Sequence, residues 1–139
     1  MVRTLLTRFF IAVSLFGLGS QPRAARACDC KRLSWQEQVV SSDAVFLGRV
    51  VEVRPLAYVV LEVREAFKGR LGRRLRITTG GSDCDYFLPP VEATRGKGFL
   101  VYATVRSGKV TVSRCLGSGP VDSKLDELAR LRQGGRLKG

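Results

Sequence analysis

Chemistry in this chain resides first in four cysteines, and their placement is uneven. Cys28 and Cys30 are separated by one residue, Asp29, while Cys84 and Cys115 follow singly and far downstream. Histidine is absent, which removes the usual general base, the Ser-His and Cys-His pairs and histidine metal ligands. An even number of cysteines in a short exported chain reads as a pair of disulfides, and spacing alone leaves all the connectivities open. A zinc site built from the four would want paired CxxC spacing, which is missing, and a Cys28–Cys30 redox loop has no accompanying motif. The expectation is a protein with no metal or cofactor of its own and no catalytic residues, a binding protein rather than an enzyme.

The residues before Cys28 explain why those cysteines would meet an oxidising compartment. Arg3 and Arg8 form a positive start, Phe9 to Leu18 is a short apolar run, and Ala25-Arg26-Ala27 places small residues where a signal peptidase reads them. Residues 1–27 therefore read as a secretory signal, and the mature chain would begin at Cys28. The apolar run is too short to span a bilayer. A lipoprotein signal, with Cys28 as the anchored residue, is disfavoured by Ala25 and Arg26, where Leu and a small residue are wanted. Secretion or a periplasmic location follows.

Two other groups of residues could carry function. Lys68, Arg70, Arg73, Arg74 and Arg76 form a basic run that could line a stripe for an anionic glycan or envelope polymer, with Arg132, Arg136 and Lys138 adding to it. Tyr58, Tyr86 and Tyr102 could interleave as stacking faces. Four arginines and no acidic residue precede Cys28, so the formal charge of +12 falls to about +8 beyond it. Arginine far outnumbers lysine and asparagine is absent, a bias that GC-rich coding produces without any anionic partner. Specific nucleic-acid binding is not indicated, and a monomer is expected. The carboxylates Asp83, Asp85 and Glu92 surround Cys84; the aspartates read as a tight loop with side-chain-to-backbone bonds.

The elements that must position these residues are short and closely spaced. Ser34-Trp35-Gln36-Glu37 is a capping box that starts a helix ending near Ser41 to Asp43, with Trp35, Val39 and Val40 expected to face the core. Strand patterns follow over Ala44 to Arg54, with Gly48 marking a bulge or bend, over Tyr58 to Phe67, and over Arg74 to Thr79. Loops run through Gly80 to Asp83 and from Pro89-Pro90 through Gly96. Phe99 to Val105 is a strongly apolar strand, Ser107-Gly108 a hairpin turn, and Lys109 to Cys115 a last strand. Ser123 to Arg132 reads as a helix with Leu125, Leu128 and Leu131 on one side. The pattern predicts one mainly β domain over 28–132, a five-stranded Greek-key barrel of the OB type with a helix at each end and two disulfides. An antiparallel sandwich is the alternative, and 133–139 reads as a flexible basic tail.

Taken together, Cys28-x-Cys30, the short helix, Asp43-Ala44-Val45-Phe46-Leu47-Gly48-Arg49-Val50, Phe67-Lys68-Gly69, Cys84-Asp85-Tyr86-Phe87, Gly98 to Ala103 and a final Cys115 resemble one known family. This is the bacterial branch of the tissue inhibitors of metalloproteinases, whose OB fold is shared with netrin-like domains. The resemblance runs from Cys28 to about Leu131. It implies pairing of Cys28 with Cys84 and of Cys30 with Cys115. It also implies that the α-amine and carbonyl of Cys28 chelate the zinc of a target metalloprotease. The sequence departs from the family pattern at Asp29, where inhibitory members place Thr or Ser. A carboxylate there would be desolvated beside a protease carboxylate, which opposes binding. The alternative expectation is a glycan- or envelope-binding module in which Cys28 and Cys30 are purely structural.

Overall fold

A computed structural model of the chain describes residues 28–89 and 91–134. The expected signal segment 1–27 and most of the expected tail lie outside the described residues. The first element is α1 (Trp35–Ser41). It starts where its local chemistry requires: the Ser34 hydroxyl accepts from the Glu37 N–H at 3.3 Å, and the Glu37 carboxylate accepts from the Ser34 N–H at 2.7 Å. The hydrogen bond from the Ser34 N–H, with the Ser34 hydroxyl adding to it, holds the Glu37 carboxyl below the usual range.

Five strands then build the sheet: β1 (Ala44–Arg54), β2 (Tyr58–Lys68), β3 (Arg74–Thr78), β4 (Gly98–Arg106) and β5 (Lys109–Thr111). Their order is β1-β2-β3-β5-β4, and β4 returns to pair with β1, so the sheet closes into a five-stranded OB-like barrel. All neighbours are antiparallel except β3 and β5, which run parallel and meet in register only at Ile77 and Val110. A two-residue β6 (Gly119–Pro120) adds to the outer side of β4, and α2 (Leu125–Gln133) ends the domain. Closure rules out the sandwich.

Closing five strands demands strong local curvature, and β1 supplies it. Its pairing with β2 shifts register at Val45/Phe46, Leu47/Gly48 and Val50/Glu52. At Gly48 a Cβ would lie 3.0 Å from the Phe46 ring and 3.3 Å from the Leu61 Cβ, so only glycine lets the strand fold inward there. The β4–β5 hairpin turns on Ser107 and Gly108, both with positive φ, the geometry that matches strand twist in a two-residue loop.

The strands alternate between two apolar layers. Phe46, Val50, Val59, Leu61, Ile77, Phe99, Val101 and Ala103 fill the barrel. Val45, Phe67, Leu100, Tyr102 and Leu116 point outward and are covered by Leu128 and Leu131 of α2 and by Trp35 and Val39 of α1. Phe99 to Ala103 is therefore buried on both faces, which accounts for its unbroken apolar run. Under the helices, the Tyr102 hydroxyl donates to Glu127 at 2.8 Å and Lys124 donates to the other Glu127 oxygen at 2.7 Å. Burial, with the Glu127 carboxylate adding to it, pushes the Tyr102 phenol well above its ordinary pKa.

Three expectations are corrected. Val40 is 76% exposed and Leu125 59% exposed, so neither faces the core; each helix covers only part of the barrel wall, and these positions fall beyond the covered strip. The last strand stops at Thr111 instead of continuing to Cys115. Beyond it the backbone leaves β4 and pairs with the segment after Cys84: Tyr86 N–H donates to Val112 O, Arg114 N–H donates to Cys84 O, and Asp85 and Ser113 form a bridge. A 3-10 turn over Arg114–Leu116 follows.

Candidate functional site

The site begins with the cysteine tripeptide. Cys28 is bonded to Cys84 and Cys30 to Cys115, the pairing that the resemblance implies. Both partners belong to the segments just described as pairing beyond the barrel end. Cys84 follows β3, Cys115 follows β5, and the main-chain bonds between residues 84–86 and 112–114 hold the two together. The tripeptide thus lies on one platform made from two chain segments. Sγ of Cys28 sits 3.4 Å from Sγ of Cys115 and 3.8 Å from Sγ of Cys30. Oxidised sulfurs carry no proton, so these are packing contacts, and the two bridges stack against each other. The sulfurs of Cys28, Cys30 and Cys115 all lie within 4.8 Å, yet each is bonded to another sulfur and is not a thiolate that could ligate.

The platform is stiffened from below. The Asp85 carboxylate accepts from the N–H groups of Gly81 at 3.0 Å and Ser82 at 3.2 Å, and Ser82 Oγ accepts from Cys84 N–H at 3.1 Å. Asp85 is a loop-builder in the manner its sequence position suggests. Ser113 Oγ accepts from Cys115 N–H at 3.2 Å. Arg114 then ties the two sides: its guanidinium donates to the carbonyls of Asp85 at 3.0 Å, Leu88 at 3.2 Å and Pro89 at 3.1 Å. Nothing local in the sequence singles out Arg114, because its partners lie 25 or more positions away.

The upper surface is open. Cys28 is half-buried, and Asp29 and Cys30 are exposed. Asp29 makes no ion pair or hydrogen bond among the described residues. The loop that leads to Cys84 meets the tip of the β1–β2 hairpin, a feature that no sequence pattern marks. Leu56 there is 68% exposed and holds a left-handed backbone with φ 57°. Its carbonyl lies so close to Gly80 that a Cβ on Gly80 would come within 2.5 Å of it. Thr79 N–H donates to Ala57 O at 2.9 Å, so the hairpin tip leans on the loop that leads to Cys84.

The basic run is divided by the fold. Lys68 turns away: its ammonium donates to Val39 O at 3.1 Å and lies 3.5 Å from Val40 O, neutralising the carbonyl end of α1. Arg76 stacks on the Tyr58 ring at 4.3 Å, and the Tyr58 hydroxyl donates to Glu52. Arg70, Arg73 and Arg74 are exposed, and Arg73 reaches Glu62 only at 4.0 Å. Arg132 is committed to Glu65 through a two-nitrogen contact, while Arg136 and Lys138 lie outside the described residues. Of the tyrosines, Tyr102 is fully buried and Tyr86 packs edge-on against Phe87 and Phe99. They serve the core.

Two disulfides place the domain in an oxidising, extracytoplasmic compartment. No described helix is long and apolar enough to cross a membrane. No protein-family model matches the chain, and no curated protein matches it.

Proposed function

We propose that this is a secreted binding protein that acts in the manner of a metalloprotease inhibitor, with the Cys28-Asp29-Cys30 edge as its working surface. The observation that carries the reading is the double anchoring of that tripeptide. Two stacked bridges, a platform knit by main-chain bonds and the Arg114 clamp hold it at the surface while leaving Asp29 exposed. A peptide fixed in advance loses little conformational freedom on docking, which favours affinity.

In this reading, cleavage after Ala27 frees the α-amine of Cys28. An unprotonated amine and the carbonyl of the same residue form a five-membered chelate on the open coordination position of a catalytic zinc held by the target. An α-amine titrates near about pH 8, so its deprotonation at neutral pH is a small cost. Asp29 follows directly and would enter the neighbouring pocket of the protease. Its carboxylate favours a target whose pocket carries a cation and disfavours one lined by carboxylates.

The test compares two forms of the protein. One has an authentic Cys28 terminus and the other retains Ala27, which moves the amine away from the chelating position. The first should inhibit a zinc endopeptidase and the second should not. Equal inertness of both across a broad panel, including enzymes with basic pockets, would overturn the reading.

A further inference from the structure

The outer face of β1, β2 and β3 carries a second arrangement that the tripeptide does not use. Arg49 of β1 stands opposite Glu62 of β2, and Glu62 stands opposite Arg74 of β3, so the three form one row across the sheet. Arg64 and Arg73 flank the row. The Glu62 carboxylate is 3.2 Å from Arg49, 3.4 Å from Arg64 and 4.0 Å from Arg73. Its hydrogen bond from Arg49, reinforced by the charges of Arg64 and Arg73, holds the carboxyl below the usual range.

A sixth charged residue arrives from elsewhere in the chain. The loop before β4 is pinned to β1 by Gly96 N–H donating to Val50 O at 2.7 Å and Val50 N–H donating to Lys97 O at 2.9 Å. Gly96 takes a left-handed backbone, φ 91°, to make that approach. Arg95 is thereby laid along β1, and its Nε donates to Val51 O at 2.9 Å. An open pocket of about 320 Å³ results, lined by Arg49, Val50, Val51, Arg74, Arg95 and Gly96. Arg74 has no polar partner among the described residues, and Arg95 has only that one carbonyl, through Nε. Glu62 pairs with Arg49, Arg64 and Arg73, while Arg74 and Arg95 have no carboxylate partner among the described residues, so the pocket wall holds more positive charge than its own ion pairs neutralise. Such a wall, with guanidinium forks and a concave floor, matches an oxyanion in both charge and geometry.

We infer that the Arg49–Arg74–Arg95 pocket binds a compact oxyanion bearing two or more negative charges, of the phosphate type, either free or displayed on an anionic polymer. The site is independent of the Cys28 edge. Glu62 is then a resident competitor that occupies Arg49 when the ligand is absent.

Titration calorimetry of the folded, disulfide-bonded protein with inorganic pyrophosphate at low salt tests this. Arg74→Ala and Arg95→Ala should each weaken binding at least tenfold, while Arg106→Ala, an exposed arginine at the end of β4, should change it less than twofold. Glu62→Gln should tighten binding severalfold, because it releases Arg49 and removes a repelling charge. A parallel measurement of retention on immobilised chain polyphosphate separates the sources. Retention that depends on Arg74 and Arg95 indicates a polymer, and pyrophosphate binding without retention indicates a free ligand. Equal losses for Arg74→Ala, Arg95→Ala and Arg106→Ala would reduce the effect to diffuse charge and overturn the inference. So would an absence of pyrophosphate binding by the unaltered protein, or weaker binding by Glu62→Gln with its melting temperature unchanged.

Discussion

The cysteine edge and the arginine face are built by opposite means. At the edge, covalent bonds and main-chain pairing fix the position of three residues, and the charged groups involved, Asp85 and the Arg114 clamp, are spent on backbone N–H and carbonyl groups. On the face, nothing is covalent; side chains are set by strand register, and a single carboxylate organises several guanidiniums. The edge owes its rigidity to long-range links in the chain, so it should be robust to salt and sensitive to reduction. The face owes its shape to the barrel and its potential to unscreened charge, so it should be sensitive to salt and indifferent to reductant.

The largest expected effect comes from breaking the edge. Replacing Cys30 and Cys115 together by alanine removes a link spanning 85 positions. By the chain-entropy estimate this destabilises the domain by up to about 4–5 kcal/mol, read as a lower midpoint in urea unfolding. A loss under about 1 kcal/mol would show that the bridge adds little beyond the platform. Arg114→Ala is next. It removes a charged donor from three carbonyls, and about 2 kcal/mol should be lost, with faster amide exchange in residues 85–88. Neither change should alter the salt dependence of pyrophosphate binding on the face.

A pH experiment separates the barrel from both regions. The Tyr102 phenol is held above its ordinary value, so the folded state keeps a proton that the unfolded state gives up. Its contribution is complete below about pH 10, the ordinary tyrosine pKa, and is lost as the pH rises from there towards the folded-state value. Tyr102→Phe should flatten the alkaline limb of the stability profile; an unchanged slope would deny the phenol that role. The smallest expected effect is Asp29→Thr. The side chain is exposed and without polar partners among the described residues, so stability should shift by less than about 0.5 kcal/mol. Inhibition of zinc endopeptidases with acidic or neutral pockets should rise in the same variant. A large change in stability with none in inhibition would invert the roles assigned to this residue.

What could be read before the fold was known follows the range of the interactions involved. The Ser34–Glu37 box, the limits of β1 and the need for glycine at 48 are local matters, and they are legible in the sequence. Strand count and spacing fitted a closed barrel but left the sandwich open; the long-range pairing of β4 with β1 decides between them. The exposure of Val40 and Leu125 was not legible, because periodicity identifies the apolar side of a helix but not how much wall that helix covers. The early end of β5 was hidden for a related reason: residues 112–114 keep a strand-like pattern while exchanging β4 for the segment after Cys84. At the sites, the cysteines announce themselves by type and spacing. The run Lys68 to Arg76 looked continuous, yet the fold sends Lys68 to the end of α1 and Arg76 onto Tyr58. It recruits Arg49 and Arg95 from distant positions instead, through register and a pinned loop.

The parallel meeting of β3 and β5 at Ile77 and Val110 is the narrowest join in the barrel wall. Cys84 continues from one of these strands and Cys115 from the other, and both are bonded to the same tripeptide. In mechanical terms the tripeptide is a lacing drawn across a seam. A force that parts β3 from β5 must load covalent links in series with a short peptide, rather than the few hydrogen bonds of the seam. The edge proposed to meet a partner is thus also a fastening across this join, so tension applied there would be carried into the closure of the fold itself.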